Sequence, residues 1–86
     1  MRIFHHAVLP HLERMDMISI TVNGSAEQAS AKATLGDVLK ARAISEDSAR
    51  GVAVAVDDRI VRRTEWNTTP LVAGIRIEIV TARQGG

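Results

Sequence analysis

Ile18-Ser19-Ile20-Thr21-Val22-Asn23-Gly24 decides the fold. Three β-branched apolar residues alternate with two hydroxyl residues, the period of a half-buried strand. The Asn-Gly pair that follows is the one a two-residue hairpin turn favours, because both of its positions need positive φ. The chain therefore turns back at once. The return arm, about Glu27 to Ser30, is polar and alanine-rich, which places it at the edge of a sheet. Next comes Thr34-Leu35-Gly36-Asp37-Val38-Leu39, a helix start: the Thr34 hydroxyl can accept an orphan N–H, and Asp37 sits in the positive first turn. The helix is expected to run to about Ala43, with Leu35, Val38 and Leu39 on one face and Lys40 and Arg42 near its negative end. After a polar loop over 45–51, Val52-Ala53-Val54-Ala55-Val56 alternates again. Asp57-Asp58 then turns the chain into the short apolar piece Ile60-Val61. Thr64 is expected to cap a single helical turn that ends at Thr69-Pro70, with Trp66 folded back over the core. The last strand carries Ile75, Ile77 and Ile79 on one face and Arg76, Glu78 and Val80 on the other.

This order reads as an α+β domain in which a mixed sheet wraps one helix, its first and last strands side by side at the centre. The helix packs on the face carrying Ile18, Ile20, Val22, Val52, Val54, Val56, Ile75, Ile77 and Ile79. The opposite face is then Ser19, Thr21, Ala53, Ala55, Arg76, Glu78 and Val80. It is small and only mildly polar, and so suited to docking a partner.

Composition excludes several functions. An 86-residue chain is one small domain that buries only roughly 60% of its unfolded surface, leaving no room for a deep private active site. A net charge of +1, with Phe4 and Trp66 the only aromatics, lacks both the electrostatic footprint and the stacking platforms of a nucleic-acid binder. The apolar run Val52–Val56 is far shorter than the about 20 residues that span a bilayer, so a soluble protein is expected. With no cysteine, any sulfur chemistry must be supplied by a partner.

The ends of the sequence differ from its middle. Residues 1–16 show no sustained period and read as a flexible appended extension, leaving 17–86 as the folded domain. His5, His6 and His11 are irregularly spaced and no cysteine joins them, so no metal is expected. At the other end the strand runs into Thr81-Ala82-Arg83-Gln84-Gly85-Gly86. Without Cβ atoms, Gly85 and Gly86 can lie extended in a slot too narrow for any side chain, which presents the terminal carboxylate as the reactive group. A strand that merely frays would give the same ending.

Together these segments resemble the ThiS family, the ubiquitin-like β-grasp sulfur carriers of thiamine biosynthesis. The resemblance covers about Met17 to Gly86. It is carried by Ile18–Gly24, Thr34–Leu39, Val52–Val61, the Arg63-Thr64-Glu65-Trp66 segment and the Gly-Gly tail, which such carriers share with ubiquitin. Arg63 to Trp66 is similar to the thiamine branch in particular. Two features depart from the family: Ala73-Gly74-Ile75 stands where an acidic turn is usual, and residues 1–16 have no counterpart.

The resemblance implies a β-grasp of four or five strands on one helix and a role as cosubstrate, not enzyme. It implies an E1-like adenylyltransferase of the ThiF type that uses ATP and magnesium, a sulfur donor such as a cysteine desulfurase, and a thiazole synthase of the ThiG type. The chain itself binds no cofactor in this reading. Gly86 would be adenylated and converted to a thiocarboxylate, with Gly85, Gln84 and Arg83 in the partner's slot. Ala53, Ala55, Arg63, Arg76 and Glu78 would form the docking surface. Three other readings share parts of this pattern: a molybdopterin-synthase small-subunit type of carrier, a ubiquitin-like protein modifier, and an inert interaction domain.

Overall fold

A computed structural model describes residues 16–47 and 49–82. The opening strand β1 is Met17–Val22 and its return arm β2 is Ser25–Ser30, antiparallel from Met17↔Ser30 to Val22↔Ser25. Asn23 and Gly24 have φ of 51° and 85°, the paired positive values expected of the hairpin turn. The return arm is two residues longer than its propensity suggests, since Ser25 and Ala26 are carried by cross-strand bonds and not by packing. β2 lies at one edge of the sheet, as its polarity requires.

Helix α1, Leu35–Lys40, is capped at Thr34, whose hydroxyl accepts from the Asp37 N–H. The Asp37 carboxylate returns the favour to the Thr34 N–H at 2.9 Å, completing a capping box. Leu35, Val38 and Leu39 are buried on one face. The helix proper stops before the expected Ala43, and the closing turn reaches that residue instead. Ala43 donates to Lys40 O and Ile44 to Leu39 O, both at 2.9 Å. This pair of bonds closes a helix through a left-handed residue, and Ala43 has φ 62°. Gly36 is fixed by proximity: a Cβ there would lie 1.9 Å from Asn67 Oδ1 and 3.1 Å from Asn67 Cα.

Strand β3, Val52–Val56, turns at Asp57-Asp58 into β4, Arg59–Ile60. β4 begins one residue before the apolar pair expected to form it, because the register Val56↔Arg59 and Ala55↔Ile60 closes a two-residue turn. Ile60 consequently faces outward at 73% exposure, while Val61 packs on the core. A 3₁₀ helix, Arg63–Thr68, follows. Its cap position is Arg62, without a side-chain bond, so Thr64 lies inside the element and caps nothing. Trp66 is buried and donates from Nε1 to Val61 O at 3.1 Å. The segment after it pairs back beside the helix start: Leu35 N–H bonds Thr69 O and Leu71 N–H bonds Ala33 O. Leu71 is thereby a core residue.

β5, Arg76–Thr81, completes the order β2-β1-β5-β3-β4, parallel to β1 and antiparallel to β3. The turn before it, Val72 to Ile75, is closed by the Ile75 N–H to Val72 O bond at 3.1 Å. Gly74 supplies φ 84° at its third position, so the turn at 73–75 forms without the flanking acidic residues. The core is Ile20, Val22, Leu35, Val38, Leu39, Ala49, Val54, Trp66, Leu71, Ile75 and Ile77, with Ile18, Val52, Val56 and Ile79 packed against it. This is the mixed sheet on one helix of a β-grasp. Among the described residues no helix is long and apolar enough to cross a membrane.

Ala43 carries a Cβ in a conformation that costs an L-residue about 1–2 kcal/mol, and glycine gives back part of that gain as lost chain entropy. Ala43→Gly is expected to raise stability by about 0.5–1 kcal/mol in chemical denaturation. Unchanged or reduced stability would contradict the assigned helix ending.

Candidate functional site

The last strand is held unequally along its two sides. Its parallel register with β1 ends at Val22↔Ile77. Beyond that point Asn23 has turned out of the strand, and its side chain takes over: Asn23 Oδ1 accepts from the Ile79 N–H at 2.8 Å, next to the Asn23 N–H to Ile77 O bond at 2.8 Å. One residue thus forms the hairpin turn and satisfies a donor 56 positions away. On the other side the antiparallel ladder with β3 runs to Val52↔Thr81, and the Ala82 N–H extends it to Gly51 O at 2.7 Å. The strand is therefore clamped up to Ala82. Arg83, Gln84, Gly85 and Gly86, the four tail positions singled out in the sequence, lie outside the described residues.

Behind this exit lies the outer face of the sheet. Ala53 sits opposite Val80, and Ala55 sits opposite both Glu78 on β5 and Ile60 on β4. Val80 is 64% exposed, so Ile60, Ala55, Ala53 and Val80 make an apolar band across three strands, with Glu78 set into it. The remaining candidates differ in freedom. Arg76 is tied to the β3–β4 turn: its Nη2 donates to Asp58 Oδ2 at 2.9 Å, and its backbone N–H donates to Asp57 Oδ1 at 2.9 Å. The Asp58 hydrogen bond and charge, helped by Asp57 and Glu78, hold the guanidinium pKa above its ordinary value. Arg76 is thus a charge already matched on the surface. Arg63 is exposed at the start of the 3₁₀ helix, and its side chain makes no hydrogen bond or ion pair among the described residues.

No group of three or more His, Cys, Asp or Glu side chains that could hold a metal occurs among the described residues. His5, His6 and His11 lie outside them. A groove of about 180 Å³ runs between β2 and α1, floored by Ile20, Ala29, Ala33 and Val38 and bridged at its rim by the Arg42–Glu27 ion pair. It lies on the helix side, away from the outer face. Two features of the site were not read from the sequence. Asn23 registered only as a turn residue, though its carbonyl was available for a second bond. Ile60 registered only as apolar, and its outward orientation follows from the register of a turn that its own side chain does not determine.

The ThiS family model matches residues 18–86, from the second residue of β1 to the last glycine. The chain belongs to the ThiS family. A solved structure titled as the thiamine biosynthesis protein ThiS from Geobacter metallireducens has a similar fold, with a TM-score of 0.65 and 21% identity. The match covers 80% of this chain and 100% of that one. No curated protein sequence matches the chain significantly. Several motif residues of this family member acquire physical roles here: Asn23 holds β5, the Thr34–Asp37 pair caps α1, Gly36 admits Asn67, and Trp66 seals the core.

Asn23→Gly keeps the turn's positive φ while leaving the Ile79 N–H without its acceptor. It is expected to cost about 1–3 kcal/mol and to speed hydrogen exchange at the Ile79 amide selectively. Unchanged protection at that amide would show that the side chain does not hold the strand.

Proposed function

We propose that this protein is a sulfur carrier of thiamine biosynthesis, acting in the cytoplasm as a cosubstrate whose Gly86 carboxylate is converted to a thiocarboxylate. The observation that carries the reading is a family match that extends through β5 and the tail to Gly86. A carboxylate is a poor acyl donor, because its carbonyl carbon is electron-rich and the group to be expelled is oxide. Activation removes both obstacles. On an E1-like partner with ATP and magnesium, a Gly86 carboxylate oxygen attacks the α-phosphorus and pyrophosphate leaves. A sulfur nucleophile relayed from a cysteine desulfurase then adds to the carbonyl carbon, and AMP leaves. The nucleophile is a cysteine persulfide, so the acyl group is first held in an acyl disulfide. A second thiol then attacks the carrier cysteine sulfur, ends in a disulfide with it, and releases an anionic, polarisable thiocarboxylate, fit to deliver sulfur to a thiazole synthase.

The folded domain contributes placement. β5 aims the tail while β3 holds it up to Ala82, and the last four residues reach into the partner's slot. Gly85 and Gly86 pass where a side chain would collide, and Gln84 and Arg83 offer hydrogen bonds to the rim. Ala53, Ala55, Arg63, Arg76 and Glu78, with Val80 and Ile60, present the docking face. Holding that face against the enzyme turns the tail's reaction into an effectively intramolecular one, where small displacements cost large factors in rate.

Gly86→Ala tests the slot. The added methyl is expected to slow adenylate formation by roughly a hundredfold, read as ATP–pyrophosphate exchange on the E1-like enzyme. Stability should stay within about 0.5 kcal/mol of the parent. Adenylation at the parent rate would defeat the proposed role of the terminal glycine.

A further inference from the structure

Asn23 and Gly24, which form the turn between β1 and β2, are the single Asn-Gly pair of the chain. An asparagine followed by glycine carries its own nucleophile, because the next backbone nitrogen can close a five-membered ring on the side-chain carbonyl carbon. The fold leaves that nitrogen open. The Gly24 N–H makes no hydrogen bond among the described residues, and nothing lies within 4 Å of where a Gly24 Cβ would stand. Both residues are exposed, so water reaches them from outside the turn. Asn67, the other asparagine, is placed differently. It lies inside the 3₁₀ helix, and the branched Cβ of Thr68 crowds the nitrogen that would attack.

The hold on β5 opposes the reaction. Asn23 bonds that strand through its N–H to Ile77 O and through Oδ1 from the Ile79 N–H, each at 2.8 Å. Ring closure turns the Asn23 side chain towards Gly24 and away from Ile79, so the reaction and the strand compete for one carbonyl group.

We propose that Asn23 is a deamidation site whose isoaspartyl product releases the strand that carries the tail. Hydroxide removes the Gly24 amide proton, the nitrogen bonds Asn23 Cγ, and the Cγ–Nδ2 bond breaks. The departing nitrogen takes a proton from water and leaves as ammonia, which regenerates hydroxide and gives a succinimide. Water then opens the ring at one of two carbons. Attack at Cγ breaks the new bond to nitrogen and leaves an aspartyl residue, with a carboxylate oxygen where Oδ1 stood. Attack at the backbone carbonyl carbon breaks the original peptide bond and leaves an isoaspartyl residue, whose main chain runs through Cβ and Cγ. The aspartyl product tolerates positive φ and still accepts from the Ile79 N–H. The isoaspartyl product lengthens the main chain inside a two-residue turn closed by Val22↔Ser25, and it puts the former side-chain carbonyl into the backbone. Past Ile77, β5 is then held by β3 alone.

The test keeps the full chain folded in warm, mildly alkaline buffer and follows both asparagines by peptide mapping, with the urea-unfolded chain alongside. The aspartyl and isoaspartyl forms are separated, and amide hydrogen exchange is measured on each. Asn23 is expected to convert first, with Asn67 still largely intact. In the isoaspartyl form the Ile79 amide should exchange about tenfold faster than in the parent. The Val61 amide, bonded to Val54 O on the far side of the sheet, should change much less. The aspartyl form, and the variant Asn23→Asp as its standard, should protect Ile79 nearly as the parent does. Conversion of Asn67 first would overturn the site, as would an Asn23 that stays intact in the folded chain while the unfolded chain converts. Unchanged exchange at Ile79 in the isoaspartyl form would overturn the release of β5. Equal acceleration at Ile79 and Val61 would overturn it too, by showing a general loosening, and so would an aspartyl product formed alone.

Discussion

The structure depends on one short contact, the parallel pairing of its first strand with its last. Only Thr21↔Arg76 and Val22↔Ile77 are in register. Through them Thr21 bonds Ile75 and Asn23 bonds Ile77. Closing this pairing joins the two hairpins into one sheet and creates the concave side on which α1 and Trp66 are buried. It also joins residues more than fifty positions apart, so its cost in chain entropy is set before any packing is recovered. The Asn23 side chain lengthens the contact by one bond at the point where β1 has already turned away. Without that bond the tail-bearing strand would carry an unpaired donor between its two sheet neighbours.

Much of this was legible in the sequence because local chemistry and global packing agree. The Asn23-Gly24 turn, the Thr34 cap and the alternation in Val52–Val56 and Arg76–Val80 each specify a local shape whose apolar face already points at the core. Disagreements arose where a distant partner decided the outcome. Leu71 follows a proline and leads into a turn, with no period to mark it, and it is buried where its N–H bonds Ala33 O. Helix α1 ends through a left-handed Ala43, where a sequence reader looks for glycine. Ile60 faces outward because the Asp57-Asp58 turn fixes the register one residue earlier than hydrophobicity suggests.

The candidate site was legible in a different way. Its outer face follows from strand alternation, and the placement of Ala53, Ala55, Glu78 and Val80 matched it. What alternation cannot convey is how the charges are matched. Arg76 and Arg63 look alike in the sequence, yet one is neutralised by Asp58 and the other stands free among the described residues. That difference divides the face into a settled part and an unsatisfied one.

In the proposed function the domain presents the Gly86 carboxylate at the end of a strand clamped up to Ala82. Intact mass spectrometry of the protein, after incubation with its E1-like enzyme, ATP, magnesium and a sulfur source, tests this most directly. The expected result is a mass gain equal to exchange of one oxygen for sulfur, localised to Gly86 by fragmentation. An unchanged terminus, or Gly86 joined to lysines of other proteins, would contradict it.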